Sequence, residues 1–252
     1  MTEAAIYDVA ERFGVDLDQV RRDHVISHVL ASISRRAQDC FIFYGGTALS
    51  RTWLPDERLS EDVDLMVIGR RQDGADALAR AIDADIARPF LGVTWSKDPR
   101  DARDAEEATL TTGTGAVIKF QLVDTVGRPP WPTVRQPILQ RYPDAPPADL
   151  LVPTPDAAVA MKMSAWFDRR AERDLFDLWA MATRGLITPG ALALYRKYGP
   201  SSRPPAPSAF QPPPSETAWR ASLGHQTILE VTAEEAADVV TEAWGAVARG
   251  AP

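Results

Sequence analysis

Asp62 and Asp64 stand one residue apart in RLSEDVDLMVI, residues 58–68, shortly after the adjacent glycines of FIFYGGTALS, residues 41–50. On an extended strand, side chains at i and i+2 share a face, so the two carboxylates would sit side by side and repel. Open water tolerates that repulsion, and a divalent cation offsets it. Magnesium takes carboxylate oxygens and keeps positions for substrate phosphates, and two such ions can align an attacking and a leaving oxygen. Gly45 and Gly46 close the apolar run CFIFY. Lacking a Cβ, they leave backbone N–H groups open to close approach. A helix starting at Thr47 would add free N–H groups and a dipole that favours an anion. A solvent-facing edge strand and a plain tight turn are the bland readings of the same residues. Read as one unit, glycine turn, helix, return loop and Asp-x-Asp strand are equipment for phosphoryl or nucleotidyl transfer. The chain has no P-loop lysine-hydroxyl pair after spaced glycines and no GxGxxG turn, which leaves those nucleotide-binding folds unsupported.

The elements that must position these residues follow from periodicity. Ile6, Val9, Ala10 and Phe13 recur at helical spacing and Gly14 stops the helix. Asp18 is expected to cap a longer helix with Val25, Ile26, Val29, Leu30 and Ile33 on its buried stripe. Residues 40–44 read as a buried strand and residues 62–68 as the next. Residues 75–89 read as an alanine-rich helix, and 91–95, 108–112 and 116–123 as strands, with a hairpin turn at 112–115. The proline-rich stretch 127–147 is expected to be irregular. From Pro155 the pattern is helical. Apolar sets at Ala158, Met161, Ala165 and Trp166 or Phe167, and at Leu175, Phe176, Leu178, Trp179 and Met181, end at Gly185. Residues 199–214, GPSSRPPAPSAFQPPP, read as a linker or an ordered strap, and a last helix covers roughly 233–248. The chain therefore divides into an α/β part, 1–150, and an all-α part, 151–252.

Bulk composition narrows the class. The 252 residues are 45% apolar and 25% charged, with net charge -7. That suits a globular chain with a substantial core and argues against indiscriminate coating of nucleic acid. The only cysteine is Cys40, so there is no disulfide framework or cysteine-rich zinc cluster. The opening MTEAAIYDVAERFG has acids early and no apolar h-region, and no apolar run reaches membrane-spanning length. The expectation is a cytoplasmic protein.

The string GGTALS, an arginine, then SEDVDL resembles the signature of the DNA polymerase β-like nucleotidyltransferases. More narrowly, it resembles the AbiEii/AbiGii toxins, a group that includes the MenT toxins. RRDHVISHVLASIS, residues 21–34, is similar to the helix that precedes the glycines in that family. VPTPDAAVAMKMSAWFDRRAERDLFDL, residues 152–178, is similar to its lysine and Arg-Asp-x-x-Asp block. The resemblance runs in order from residue 20 to residue 185. It implies an α+β fold, with a polymerase β-like nucleotidyltransferase core (a mixed sheet with helices) followed by an all-α C-terminal half. It also implies roles. Gly45, Gly46 and Thr47 would cradle the nucleoside triphosphate, with Arg58 and Ser60 touching phosphate. Asp62 and Asp64 would hold two Mg2+ ions. Lys162 would neutralise triphosphate charge and Asp177 would complete the site. The implied reaction is transfer of NMP from an NTP to the 3′ end of tRNA. That would block aminoacylation and translation, as the toxin of a type IV-like system whose partner is an AbiEi-like antitoxin. A small molecule or a protein side chain is the alternative acceptor, and a non-catalytic nucleotide-binding module is the alternative from another class.

Further expectations concern individual residues, the first of them set by the resemblance. The fold usually places a third carboxylate on a later strand facing Asp-x-Asp. Here Gln121 holds that place, and Asp124 has the wrong parity unless the strand bulges. Lys162 and Asp177 would be about 22 Å apart on one unbroken helix, too far to serve one nucleotide. A turn near Asp168-Arg169-Arg170 is therefore expected, with Arg170–Asp174 and Arg173–Asp177 at ion-pair spacing. Phosphorylation of Ser60 would put negative charge beside the acid pair and expel the triphosphate. Tyr44 and Trp53 are expected in the core, with stacking on a nucleotide base the alternative for Tyr44. His24 and His28, at i and i+4 without an HExxH pattern, are not expected to bind zinc. Arg21, Arg22, Arg35, Arg36, Arg169, Arg170, Arg196 and Lys197 could form an RNA-binding face.

Overall fold

A computed structural model describes residues 3–103 and 106–250. The chain runs α1 (Glu3–Phe13), α2 (Leu17–Ala37), β1 (Phe41–Tyr44), α3 (Gly45–Arg51), β2 (Asp62–Val67), α4 (Arg71–Asp85), β3 (Thr94–Lys97), β4 (Glu107–Thr111), β5 (Val117–Asp124), β6 (Thr133–Ile138) and β7 (Ala148–Pro153). It continues as α5 (Pro155–Arg169), α6 (Glu172–Thr183), α7 (Pro189–Tyr198), a 3-10 turn (Pro207–Phe210), α8 (Glu216–Leu223) and α9 (Ala233–Gly250). Two compact units divide between Val152 and Pro153. The first holds a mixed seven-stranded sheet and the second is helical, so the fold class is α+β.

In the first unit the sheet order is β3-β4-β5-β2-β1-β7-β6. β2 lies at its centre, antiparallel to β1 and parallel to β5. Phe41, Phe43, Val63 and Leu65 alternate onto one buried face and meet Val29, Leu30 and Ile33 of α2 in a single core cluster. Leu78 and Ile82 of α4 join that cluster. Gly74 lets α4 come close, because a Cβ there would sit 2.5 Å from a Val67 methyl. Helix α2 starts slightly earlier than the sequence suggests. Asp16 is its cap, accepting from the Gln19 N–H at 2.8 Å, while Asp18 lies in the first turn and pairs with Arg21. The stretch 127–147, expected to be irregular, contains β6, and β7 follows it at Ala148. Proline density hides β6 from a sequence reading. Its Pro137 is tolerated because β6 is an edge strand, where a missing N–H costs little.

In the second unit, Thr154 caps α5 by accepting from the Ala157 N–H, and Pro155 opens the helix. Arg170 then takes a left-handed conformation (φ 49°) and turns the chain into α6. The proline-rich stretch 199–214 is an ordered strap. Phe210 is fully buried and stacks on Trp166 at 6.3 Å, and the Trp166 indole N–H donates to the Ala209 carbonyl at 3.0 Å. The Arg170 guanidinium lies over the Trp166 ring and donates to the carbonyls of Ala209 and Pro212. The same arginine therefore ends α5 and fastens the strap, and it does not pair with Asp174 as its spacing suggests.

Candidate active site

The acid pair and the glycine turn are built against each other. Asp62 and Asp64 share the half-buried face of β2, opposite the core face of Val63 and Leu65. The β1–β2 register sets Tyr44 beside Asp64, so the chain leaves β1 next to that carboxylate and enters α3 at Gly45. Gly45 has φ +78°, and a Cβ on it would lie 2.0 Å from Asp64 Oδ2. Only glycine fits both the backbone and the carboxylate. Gly46 makes room on the other side, since its Cβ would lie 2.7 Å from an Arg58 guanidinium nitrogen and 2.9 Å from Ser60 Oγ. Arg58 and Ser60 are both buried, and the Arg58 guanidinium also donates to the Leu59 carbonyl. The Thr47 hydroxyl donates to the Asp62 carbonyl and ties α3 to β2, so its side chain is used inside the fold. No side chain caps α3. Gly45, Gly46, Thr47, Arg58, Ser60, Asp62 and Asp64 are thus brought together at one turn. Burial of Ser60, 6% exposed, keeps its hydroxyl off the surface.

β5 supplies the neighbouring column. Asp64 is opposite Gln121, Asp62 is opposite Lys119, and across the next ladder Gln121 is opposite Glu107 of β4. Residues directly opposite share a face, so Asp62, Asp64, Lys119, Gln121 and Glu107 form one polar surface. Asp124 is registered with Val67, on the other parity, and accepts from the Val126 N–H in the turn that follows. It is not a third acid for this face. Lys119 bridges to Glu107 at 3.0 Å, and its ammonium is held above its ordinary pKa first by Glu107, then by Asp62 and Glu61. The donor set suits a hard divalent cation: the adjacent carboxylates of Asp62 and Asp64 on one strand, with the Gln121 amide opposite Asp64 on the next. Asp62 and Asp64 are the residues that would hold it.

The sequence profile described as "Nucleotidyl transferase AbiEii toxin, Type IV TA system" matches residues 28–248. The chain belongs to the AbiEii nucleotidyltransferase toxin family. It is therefore a toxin–antitoxin nucleotidyltransferase, and the family implies an antitoxin partner. No curated protein matches the chain. Among solved structures, MenT4, a nucleotidyltransferase toxin from Mycobacterium tuberculosis H37Rv, superposes with TM-score 0.76 at 20% identity, covering 97% of this chain and 88% of that one. A nucleotidyltransferase structure from H. pylori superposes with TM-score 0.58 at 15% identity, covering 94% of this chain and 97% of that one. At these identities the likeness shows the shared fold. No helix among the described residues is long and apolar enough to cross a membrane.

The lysine and Arg-Asp-x-x-Asp block of this AbiEii chain folds as the hairpin of α5 and α6, with its break at Arg170. Lys162 Nζ lies 3.0 Å from Asp174 Oδ1 and 2.9 Å from Asp177 Oδ2, and Arg169 closes on Asp174 at 2.7 Å. Lys162, Asp174 and Asp177 are 8%, 0% and 1% exposed, so the ammonium meets both carboxylates out of water, while the exposed Arg169 reaches Asp174 from the surface. Burial alone would raise the Asp174 carboxyl, but Lys162 and Arg169 outweigh it and hold it at about 2. An unfolded aspartate titrates at about 3.9. The folded value is the lower one, so this stabilisation is fully present above about pH 4 and is lost as pH falls towards 2. Wild-type unfolding free energy, measured by denaturant titration, should decline across that acid window, and Asp174→Asn should flatten the decline.

Several of the basic residues have partners within their own unit. Arg35 and Arg36 both hold Asp85 of α4, Arg21 pairs with Asp18, and Arg22 meets Glu61 at 3.4 Å. Arg196 donates to the Ser202 carbonyl, and Lys197 lies over the Tyr198 ring. Tyr44, expected in the core, is half-buried on the acid face because it pairs with Asp64 rather than with a core residue. A buried network behind α3 escaped the sequence reading. The Arg51 guanidinium donates to Asp23 at 2.7 Å and to Ser27 and the Leu139 carbonyl, and the Tyr142 hydroxyl donates to Asp23 at 3.0 Å. Its members are far apart in sequence, and only the invisible polarity of a helix interior, Asp23 on the buried side of α2, hinted at it.

Proposed function

We propose that this AbiEii toxin transfers NMP from an NTP to the 3′ end of tRNA, with Mg2+ held by Asp62 and Asp64, and so blocks aminoacylation and translation in the cytoplasm. The observation that carries the reading is the fit of Asp64 Oδ2 against Gly45, where a Cβ would intrude to 2.0 Å. That fit joins the acid pair to the glycine turn, and it does so in a chain of a nucleotidyltransferase family. Magnesium, when bound, neutralises triphosphate charge and lowers the cost of in-line attack at the α-phosphate. The protein's own residues would do the positioning. Backbone N–H groups of Gly45 and Gly46 would face the phosphates, the buried Arg58 would add fixed positive charge behind them, and Gln121 would border the acid pair. Lys162 and Asp177 would complete the nucleotide site, as the family resemblance implies. An AbiEi-like antitoxin would be the partner that restrains the activity.

The test is incubation of the purified protein with total tRNA, Mg2+ and each labelled NTP in turn. Label in tRNA fixes the reaction, the acceptor class and the nucleotide together. Label in protein or in small molecules instead would keep the core chemistry and replace the acceptor. Absence of label in every fraction, with no NTP binding in the presence of Mg2+, would overturn the reading and leave a non-catalytic module.

A further inference from the structure

His24 and His28 lie one helical turn apart on α2, and Asp144 comes to them from the segment between β6 and β7. His24 Nε2 is 3.1 Å from Asp144 Oδ2 and 3.2 Å from His28 Nε2, and His28 Nε2 is 3.6 Å from Asp144 Oδ2. Three potential ligand atoms therefore form a triangle with edges of 3.1, 3.2 and 3.6 Å. A zinc ion with ligands at about 2.0–2.1 Å in tetrahedral geometry has ligand–ligand edges of about 3.3 Å. The triangle has the dimensions of one face of that tetrahedron.

Hydrogen bonding alone serves this arrangement poorly. A proton on His24 Nε2 must be divided between Asp144 and His28. A proton on His28 Nε2 directed at His24 leaves a His24 lone pair facing a carboxylate oxygen. A cation at the centre would satisfy all three lone pairs at once. The rings are also held in place. Both imidazoles pack edge-on against Phe90, with centroids at 5.2 and 5.1 Å, and His24 packs edge-on against Tyr142 at 4.9 Å. The His24 and His28 side chains are 6% and 11% exposed while Asp144 is 34% exposed, so the imidazoles are the sheltered part of the trio and the carboxylate its more accessible part.

We propose that His24, His28 and Asp144 form a second metal site, distinct from the Asp62–Asp64 face, which binds a zinc-class divalent cation with water in the fourth position. Two imidazoles and one carboxylate suit Zn2+ and its neighbours in the transition series, whereas Mg2+ prefers an all-oxygen shell. None of the three residues lies on β1, β2 or β5. The site's role is that of a clamp. Asp144 follows Arg141 and Tyr142 closely, and Arg141 donates to the carbonyls of Ser50 and Pro55 while Tyr142 donates to Asp23. Fastening Asp144 to α2 thus braces the far end of the short helix that begins at Gly45.

The experiment uses the tag-free 252-residue chain stripped of metal and titrated with Co2+, a spectroscopic substitute for Zn2+. The expected result is intense visible absorption of tetrahedral Co2+, abolished by one equivalent of Zn2+, with a zinc-dependent rise in Tm that Mg2+ does not reproduce. Asp144→Asn and His28→Gln should each weaken Zn2+ binding at least about 100-fold, since even outer-shell partners of a metal cost 10–100-fold. Asp64→Asn should leave the Co2+ spectrum unchanged. Should His28→Gln fail to fold, Asp144→Asn and the wild-type spectrum decide the matter. Absence of a tetrahedral spectrum in the wild type overturns the proposal. So does its persistence in Asp144→Asn, or its loss in Asp64→Asn alone.

Discussion

Asp64→Asn is expected to cut nucleotide incorporation at least about 100-fold while leaving Tm close to that of the wild type. The magnitude follows from the role proposed for the carboxylate: outer-shell groups of metal sites already cost about 10–100-fold when removed, and a direct ligand costs more. Stability is spared because asparagine has the shape of aspartate, so the contact with Gly45 and the position opposite Gln121 are kept. Removing one of two adjacent negative charges also relieves repulsion on that face. Gly45→Ala approaches the same site from the backbone. Its Cβ would enter to 2.0 Å from Asp64 Oδ2 at a residue with φ +78°, so the carboxylate must move or the turn must open. A non-glycine residue in the left-handed region costs about 1 kcal/mol before any clash is counted. Gly45→Ala should therefore lose both activity and some stability, whereas Asp64→Asn loses activity only. Incorporation assays paired with thermal melts separate the two patterns. Wild-type incorporation by Asp64→Asn would remove the carboxylate from the mechanism.

The parts of this site that sequence reveals are those encoded within a few residues. Gly45-Gly46 and Asp62-x-Asp64 are visible because a strand's two-residue repeat puts the acids on one face and a missing Cβ leaves space. The same parity argument places Gln121, not Asp124, beside Asp64, and the β2–β5 register agrees. The break between Lys162 and Asp177 is also local, a phase change in the apolar stripe. Pairings between distant segments leave no such trace. His24 and Asp144 are 120 residues apart, and neither the i, i+4 histidines nor the lone aspartate looks unusual by itself. Arg170 shows the converse error. Its i, i+4 spacing to Asp174 suggests an ion pair, but the chain turns left-handed at Arg170 and its guanidinium goes to the strap. Asp174 takes Lys162 and Arg169 instead. Spacing rules presume a continuous helix, and they fail where one ends.

Lys162→Met is expected to destabilise the protein by about 3–5 kcal/mol, the usual cost of removing one partner from a buried ion pair. Lys162 is 8% exposed and contacts two carboxylates that are 0% and 1% exposed. Methionine fills much of the volume, so the loss is electrostatic. Asp174 keeps Arg169 at 2.7 Å, while Asp177 loses the ammonium 2.9 Å away. The Asp177 carboxylate, 1% exposed, then stays buried without that ammonium. Adding Asp177→Asn removes that buried charge, so the double variant should recover much of the lost stability, and the coupling energy can be read from a double-mutant cycle. The cycle also tests function. Proposed contact of Lys162 with the triphosphate and of Asp177 with the reacting groups requires the double variant to stay inactive although it is folded. Recovery of both Tm and nucleotide incorporation would reduce the pair to a structural brace between α5 and α6, and leave the chemistry to Asp62, Asp64 and the glycine turn.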